Sequence, residues 1–275
     1  MICDFHLHST KSDGKLTPSD LMERAKSRGL VCASLTDHDT VEGVSEAVGK
    51  GGELGLQVLP GIEISSYDNF EVHILAYNID YLNPALSDDL KELKELRKVR
   101  NYAIVKKLAE WGIHVDLDTI YAQAGDKTIG RPDIADEMVK LDIIPSRLAA
   151  FDEYLGYGKK AYVQSKRLTP REAIELALKY KGVPVLAHPK NLKLSQPALA
   201  DYVLNLKGYG LMGIEADYYS HNDLERKFYR SLADKYKLIV TGGSDFHDGQ
   251  HGGESVFYPN KLTRKVLGII DEQKN

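Results

Sequence analysis

Cysteine is nearly absent from this sequence, with Cys3 and Cys32 the only two thiols among 275 residues. Two cysteines in apolar, strand-like runs exclude a disulfide framework and read as reduced, buried side chains. Long apolar runs are missing as well. No stretch approaches the roughly 20 residues needed to span a bilayer, and no signal-peptide pattern precedes the first strand, so no membrane role is expected and the cytoplasm is the expected location. A basic excess is also lacking. The formal charge of −4 argues against a binder of long nucleic acid, because such proteins neutralise many phosphates with a basic face. Neither an internal repeat nor a low-complexity tract is found, and oligomeric state has no signature. What the chain does have is 43% hydrophobic residues, enough for one large core or one core with a modest insertion.

The first part alternates strand and helix. Met1 to Phe5 reads as a strand, and His6 and His8, two residues apart, project to the same side and can hold one cation between two imidazoles. Asp13 follows in a polar turn, close enough to fold a carboxylate back to the same point. Thr17-Pro18-Ser19-Asp20 combines a hydroxyl N-cap, a first-turn proline and an acid at the positive dipole end, predicting a helix over about 18–28 that Gly29 closes. Val31 to Thr36 is a buried-type strand delivering Asp37-His38-Asp39. The two aspartates read either as carboxylates orienting His38 or as caps of a helix near 40–49. In the strand 57–64, Glu63 sits among apolar residues, where a glutamate is seldom fully buried unless paired or bound to a cation. The strand Phe70 to Ala76 carries His73 in an equally apolar setting.

Near residue 82 the pattern changes. Pro84 to Trp111 reads as a long amphipathic helix, with shorter helical stretches near 116–124, 132–140 and 145–155 and no strand between them. The segment 82–156 therefore reads as an inserted helical subdomain, leaving 1–81 and 157–275 as the main domain. Most of its charges suit solvated faces. Arg97, Arg100 and Arg131 are the candidates to reach an anion, with Arg131 foremost because Gly130-Arg131-Pro132 opens a helix.

Alternation resumes near 160. The capping box Thr169-Pro170-Arg171-Glu172 starts a helix, and a strand over 183–187 ends in His188-Pro189. A helix near 196–206, the strand Leu211 to Glu215, and a helix over 221–236 precede the strand 238–241, which runs into Gly243-Ser244-Asp245-Phe246-His247. His6, His8, His38, His73, His188 and His247 thus lie at or near the ends of different strands, with Asp13, Glu63 and Asp245 beside them. In a parallel βα barrel such ends converge on one rim; an open sheet would spread them along a line. These nine side chains, imidazole or carboxylate without a thiolate, are too many for one ion and suit two or three of manganese, iron or zinc.

The motifs His6-x-His8, Thr36-Asp37-His38-Asp39, Gly61-Ile62-Glu63, Leu186-Ala187-His188-Pro189 and Gly243-Ser244-Asp245-Phe246-His247 resemble those of the PHP (polymerase and histidinol phosphatase) family, in the right order over residues 1–260. With Gly130-Arg131-Pro132, Tyr154-Leu155 and Ala161-Tyr162-Val163, the chain looks like the branch containing 3′,5′-nucleoside bisphosphate phosphatases and 5′-3′ oligoribonucleases. The resemblance implies an α/β fold, a distorted (β/α)7 barrel whose helical insertion caps the active site. It implies that His6, His8, Glu63 and Asp245 hold a first metal, that Asp13, His38 and His247 hold a second, and that Glu63 bridges to a third held by His73 and His188. Manganese is the first expectation, iron or zinc the alternatives.

Phosphoester hydrolysis follows. A hydroxide bridging two cations is available near neutral pH, since coordination lowers the pKa of water from 15.7 to roughly 7 in favourable zinc sites, so no protein nucleophile is required. Asp13 and His247 are the side chains expected beside it, and Arg131, Arg97 and His221 are expected to meet substrate. One departure is visible: the branch usually has histidine after Arg-Pro, and this chain has Asp133, which would repel a phosphate placed against it. Tyr218 and Tyr219 could stack on a base, Lys159 and Lys190 read as solvated, and His114 and His251 as surface residues. The alternatives are a phosphatase of a non-nucleotide monoester such as histidinol phosphate, a metal-dependent amidohydrolase, and a non-catalytic metal-binding module.

Overall fold

Seven strands pair side by side in chain order. They are β1 (Cys3–Leu7), β2 (Cys32–Leu35), β3 (Gln57–Tyr67), β4 (Glu71–Tyr77), β5 (Val183–Leu186), β6 (Gly213–Tyr218) and β7 (Ile239–Gly243). The structure is a computed structural model that describes residues 1–125, 127–164, 167–248 and 257–270. Pairing is parallel except around β4, which runs antiparallel to both β3 and β5. The reason is local: only Asp68, Asn69 and Phe70 separate β3 from β4, too few for a parallel crossover, and Asn69 makes the turn at φ 55°.

The sheet curls until its last strand meets its first. Leu7 bridges to Phe246, His8 N–H donates to Phe246 O at 3.0 Å, and Ser244 N–H donates to the Asp4 carboxylate at 3.0 Å. Gly243 is required at this seam, because a Cβ there would collide with the backbone nitrogen of His6. The expected seven-stranded α/β barrel is thus the observed fold, nearly closed.

Strand alternation sorts β1 in two. Leu7 points outward and packs with Leu21, Met22 and Ala25 of helix α1 (Pro18–Ser27), whereas Asp4, His6 and His8 are buried and polar. Thr17 caps α1 as expected, accepting from Asp20 N–H at 3.1 Å. The second helix, α2, begins later than the expected 40, at Val44–Leu54, behind Gly43. Cys3 and Cys32 are register partners on β1 and β2, both buried, and both are free thiols.

The remaining described helices are α3 (Pro84–Glu110), α4 (Leu117–Ala124), α5 (Arg131–Lys140), α6 (Arg147–Ala150), α7 (Pro170–Lys179), α8 (Gln196–Gly208), α9 (Asp223–Tyr236) and α10 (Lys261–Leu267), the last not anticipated. A π-helical turn, Phe151–Leu155, continues α6. Among the described residues, no helix is long and apolar enough to cross a membrane.

Two compact units result: Met1–Ser87 with Leu168–Asn275, and Asp88–Arg167. Both boundaries lie nearer the C-terminus than the 82–156 expected for the insertion. The later one has a packing reason, because Ala161 is buried in the helical core with Ile104, Leu108, Ile134 and Met138, and Val163 packs against it.

Candidate metal centre

Because β4 runs backwards, the start of that strand shares a rim with the C-terminal ends of its parallel neighbours. His73 is the register partner of Ser65 on β3, and its carbonyl accepts from Ala187 N–H, 3.1 Å away, just before His188. Residues far apart in sequence therefore converge. Glu63 is their hub: Oε1 lies 2.8 Å from His73 Nδ1 and 2.9 Å from His188 Nε2. Its Oε2 lies 3.0 Å from His38 Nδ1 and 3.3 Å from Nε2 of both His6 and His8.

Asp245 and Asp13 complete the cluster. Asp245 Oδ1 lies 3.1 Å from His8 Nε2 and 3.3 Å from His6 Nε2. Asp13 Oδ1 lies 3.2 Å from His247 Nε2, and its two oxygens are each 3.8 Å from His8 or His38. Three groups of side chains have donor atoms within 4.8 Å of one another and could each hold a metal: His6, His8, Glu63, Asp245; His8, Asp13, His38, His247; and His38, Glu63, His73. Each pair of groups shares one residue, respectively His8, Glu63 and His38. His188 touches Glu63 but belongs to none of the three.

The donor set fits divalent cations. Nε2 of His6 and His8, Nδ1 of His38 and Oε2 of Glu63 are buried without a hydrogen-bond partner, although Oε2 stands 3.3, 3.3 and 3.0 Å from the three nitrogens. Donor atoms that crowd together yet fail hydrogen-bond geometry are placed to share a cation. Among the described residues, the ion-pair partners of Glu63, Asp13 and Asp245 are imidazoles. A buried carboxylate cluster of this kind needs positive charge, from protonated histidines or from metal.

A family model described as the PHP domain matches residues 4–241. The chain belongs to the PHP domain family. A 5′-3′ exoribonuclease of Haemophilus influenzae is 32% identical over 245 residues, 89% of each chain. A 3′,5′-nucleoside bisphosphate phosphatase of Chromobacterium violaceum is 31% identical over 261 residues, covering 94% of this chain and 92% of that one. A solved structure from Bifidobacterium adolescentis, of a protein proposed to be a metal-dependent phosphoesterase, superposes with a TM-score of 0.86 at 30% identity over 96% of this chain and 94% of the other. The PHP domain described here is a metal-dependent phosphoesterase.

Its electrostatics follow from burial opposed by close partners. Burial would raise the carboxyls of Glu63, Asp13 and Asp245, but the surrounding histidines outweigh it and hold all three well below the usual range. Burial would lower His8, yet Asp245 and Glu63 push it up to about 10. His38 goes the other way, to about 3, because burial and the charges of His8 and His73 prevail over Glu63 and Asp13.

Several expectations for individual residues of the PHP domain change. Asp37 caps no helix: it accepts from Ser9 N–H and Ser9 Oγ, both 2.7 Å away, and from Ser12 Oγ at 2.6 Å, tying down the loop after His8. Asp39, at φ 51°, accepts from Ser65 N–H at 2.7 Å. Tyr218 is buried with its hydroxyl on Asp245, so it does not offer a face to a base; Tyr219 is 42% exposed. Lys190 binds Ser220 O at 2.7 Å and Glu225 at 3.1 Å instead of being merely solvated.

His221 is buried between the rings of Tyr218 and Tyr229; its Nδ1 lies 3.0 Å from Ala216 O, and its Nε2 has no hydrogen-bond partner. Burial lowers its pKa, so the ring is neutral at pH 7. His114 is exposed, and His251 lies outside the described residues.

Within the helical unit, Arg131 opens α5, donates to Leu155 O at 3.2 Å and lies over the Phe151 ring. Arg97 Nη1 stands 3.4 Å from where a Cβ on Gly130 would be, so two guanidinium groups gather at the start of α5. Arg100 is instead buried, donating to Val163 O at 3.0 Å. Asp133 accepts from Gly130 N–H at 2.8 Å and pairs with Lys127, so its charge is compensated locally.

Glu215, which sequence reasoning missed, is fully buried and bonds both His6 and His188. The signal was present: it is a glutamate in the apolar run Gly213-Ile214-Glu215-Ala216, as Glu63 is in its own strand.

Proposed function

We propose that this PHP-domain metal-dependent phosphoesterase hydrolyses phosphate esters of small nucleotides, a 3′,5′-nucleoside bisphosphate or a short oligoribonucleotide. The observation that carries the reading is the overlap of the three ligand groups through His8, Glu63 and His38, which suits two or three ions close enough to act on one phosphate. His6, His8, Glu63 and Asp245 would hold the first, Asp13, His38 and His247 the second, and Glu63 and His73 the third, with His188, which touches Glu63 from outside the three groups, as its further ligand. Imidazole and carboxylate donors without thiolate suit manganese, with iron or zinc as alternatives. When bound, these ions supply Lewis acidity to phosphate oxygens and lower the pKa of water.

The chain's own residues orient and hold protons. His247 Nδ1 lies 2.8 Å from Asp245 O, which only accepts, so a hydrogen sits on Nδ1 and Nε2, 3.2 Å from Asp13, would be the nitrogen offered to a cation. Asp13 and His247 would then be the side chains that orient the attacking water. Arg131 and Arg97, gathered at the start of α5, are the guanidinium groups proposed to bind phosphate. His221 contributes a neutral ring whose Nε2 the fold leaves without a partner. A soluble, cytoplasmic enzyme of small phosphorylated metabolites fits this reading. The names of the two relatives, an exoribonuclease and a nucleoside bisphosphate phosphatase, support a nucleotide-derived phosphate ester.

The test is phosphate release by metal-analysed protein on adenosine 3′,5′-bisphosphate, 5′-AMP, histidinol phosphate and a short 5′-phosphorylated RNA. Loss of the 3′-phosphate, or 5′-mononucleotides from the RNA, is expected. Turnover of histidinol phosphate alone would replace the nucleotide reading with the monoester alternative.

A further inference from the structure

Strand β6 supplies none of the residues in the three candidate metal groups, yet its polar side chains reach into them. The pairing of β6 with β7 explains how. Glu215 pairs with Thr241, Asp217 with Gly242 and Tyr218 with Gly243, so one extra residue is accommodated in β6 as a bulge. In a regular strand Glu215 and Tyr218 would point to opposite faces. With the bulge, Asp217 turns outward to pair with Arg230, and Glu215 and Tyr218 both face the histidines.

Glu215 divides its two oxygens between two residues of the centre. Oε1 lies 3.0 Å from His6 Nδ1, and Oε2 accepts from the backbone N–H of His188 at 2.7 Å. A carboxylate accepts and does not donate, so the first contact puts a His6 hydrogen on Nδ1 and makes Nε2 the nitrogen that a cation would take. That Nε2 is the atom 3.3 Å from both Glu63 and Asp245. The second contact holds a residue in a conformation it would not otherwise keep: His188 has φ 25°, ahead of Pro189, and its Nε2 lies 2.9 Å from Glu63.

We propose that Glu215 is a positioning residue of the metal centre, one carboxylate that sets the tautomer of His6 and the backbone angle of His188 and so couples two separate ligand positions. The inference rests on the reading of His6 and His188 as metal ligands. Its chemistry is that of an outer carboxylate that orients a ligating imidazole and raises its basicity. Glutamine at this position offers one acceptor oxygen to two donors and turns an N–H towards one of them, so it cannot serve both.

The experiment uses the full chain, labelled with 15N-histidine and loaded with zinc as a diamagnetic ion. In long-range 1H–15N spectra, the His6 ring, assigned by its loss in His6→Gln, is expected to carry its proton on Nδ1 and the metal on Nε2; metal on Nδ1 overturns the proposal without recourse to any Glu215 variant. Calorimetric titration of zinc into metal-free Glu215→Gln is expected to show affinity reduced by about 10–100-fold, with the melting temperature of the metal-free protein preserved. A lowered melting temperature with wild-type affinity would mean that Glu215 only supports the fold, and would overturn the proposal. If the wild-type chain takes up metal and E215Q takes it up equally well, this inference alone fails. If the wild-type chain takes up none, the ligand reading fails and the inference with it.

Discussion

The hydroxyl of Tyr218 donates to Asp245 Oδ2 at 2.8 Å, while Oδ1 of the same carboxylate faces His6 and His8. One oxygen is thereby assigned to the protein and the other to the centre. Burial and the charge of Asp245 push the phenol pKa well up, so it remains a donor at any working pH. Tyr218→Phe is expected to leave the fold intact, cost about 1 kcal/mol of stability, and weaken metal uptake several-fold. Unchanged uptake in a metal titration would show that the contact does not orient Asp245.

His8 belongs to two of the three groups, and Asp245 approaches both His6 and His8. Alanine at either position should lower metal-dependent turnover at least about 10³-fold, equivalent to roughly 4 kcal/mol, while circular dichroism stays native. Wild-type turnover in metal-replete protein would remove both residues from the centre.

Glu63 also belongs to two groups, and it contacts five histidines. Glu63→Gln should therefore reduce the number of bound ions, not merely their affinity. Metal analysis after gel filtration reads this directly, and undiminished stoichiometry counts against a bridging role.

Arg131 is expected to act on phosphate and not on metal. Arg131→Ala should lower kcat/KM by about 10–100-fold, the value of one charged hydrogen-bonded contact, with metal content unchanged. Because the guanidinium also donates to Leu155 O, a folding control belongs beside the kinetics.

The metal-free protein should be pH-sensitive at both ends. Asp13, Glu63 and Asp245 have folded pKa values below the unfolded value of about 4, so their contribution is present above that pH and is lost as pH falls through the folded values. His8 is raised to about 10, so its contribution is full below its unfolded value of about 6.5 and is lost as pH rises through about 10. His38, lowered to about 3, costs stability as pH falls below about 6.5, so thermal melts of chelated protein should peak near pH 6.5. A flat profile over pH 3–10 would show that the histidine–carboxylate pairs do not contribute.

Much of the fold was legible before any coordinates. Caps at Thr17 and Thr169, the strand–helix alternation and the ligand-type residues at strand ends all pointed to a barrel with one polar rim. Glu63 was legible for the same reason, since a glutamate amid apolar residues is costly unless something pairs with it. Asp37 and Asp39 were not, because an aspartate before a helical stretch looks like a cap whether or not it ends up bonded to a distant loop.

By itself, the sequence determined which donor types are available and that they fall at strand ends, because side-chain chemistry and hydrophobic periodicity are local properties of the chain. Only the tertiary structure decided how those donors are grouped. The reversal of β4, the closure at Gly243 against His6 and the bulge that turns Glu215 and Tyr218 inward all depend on register between strands that are distant in sequence. A one-residue shift in that register moves a side chain to the opposite face, and nothing local to Glu215 records which face it takes.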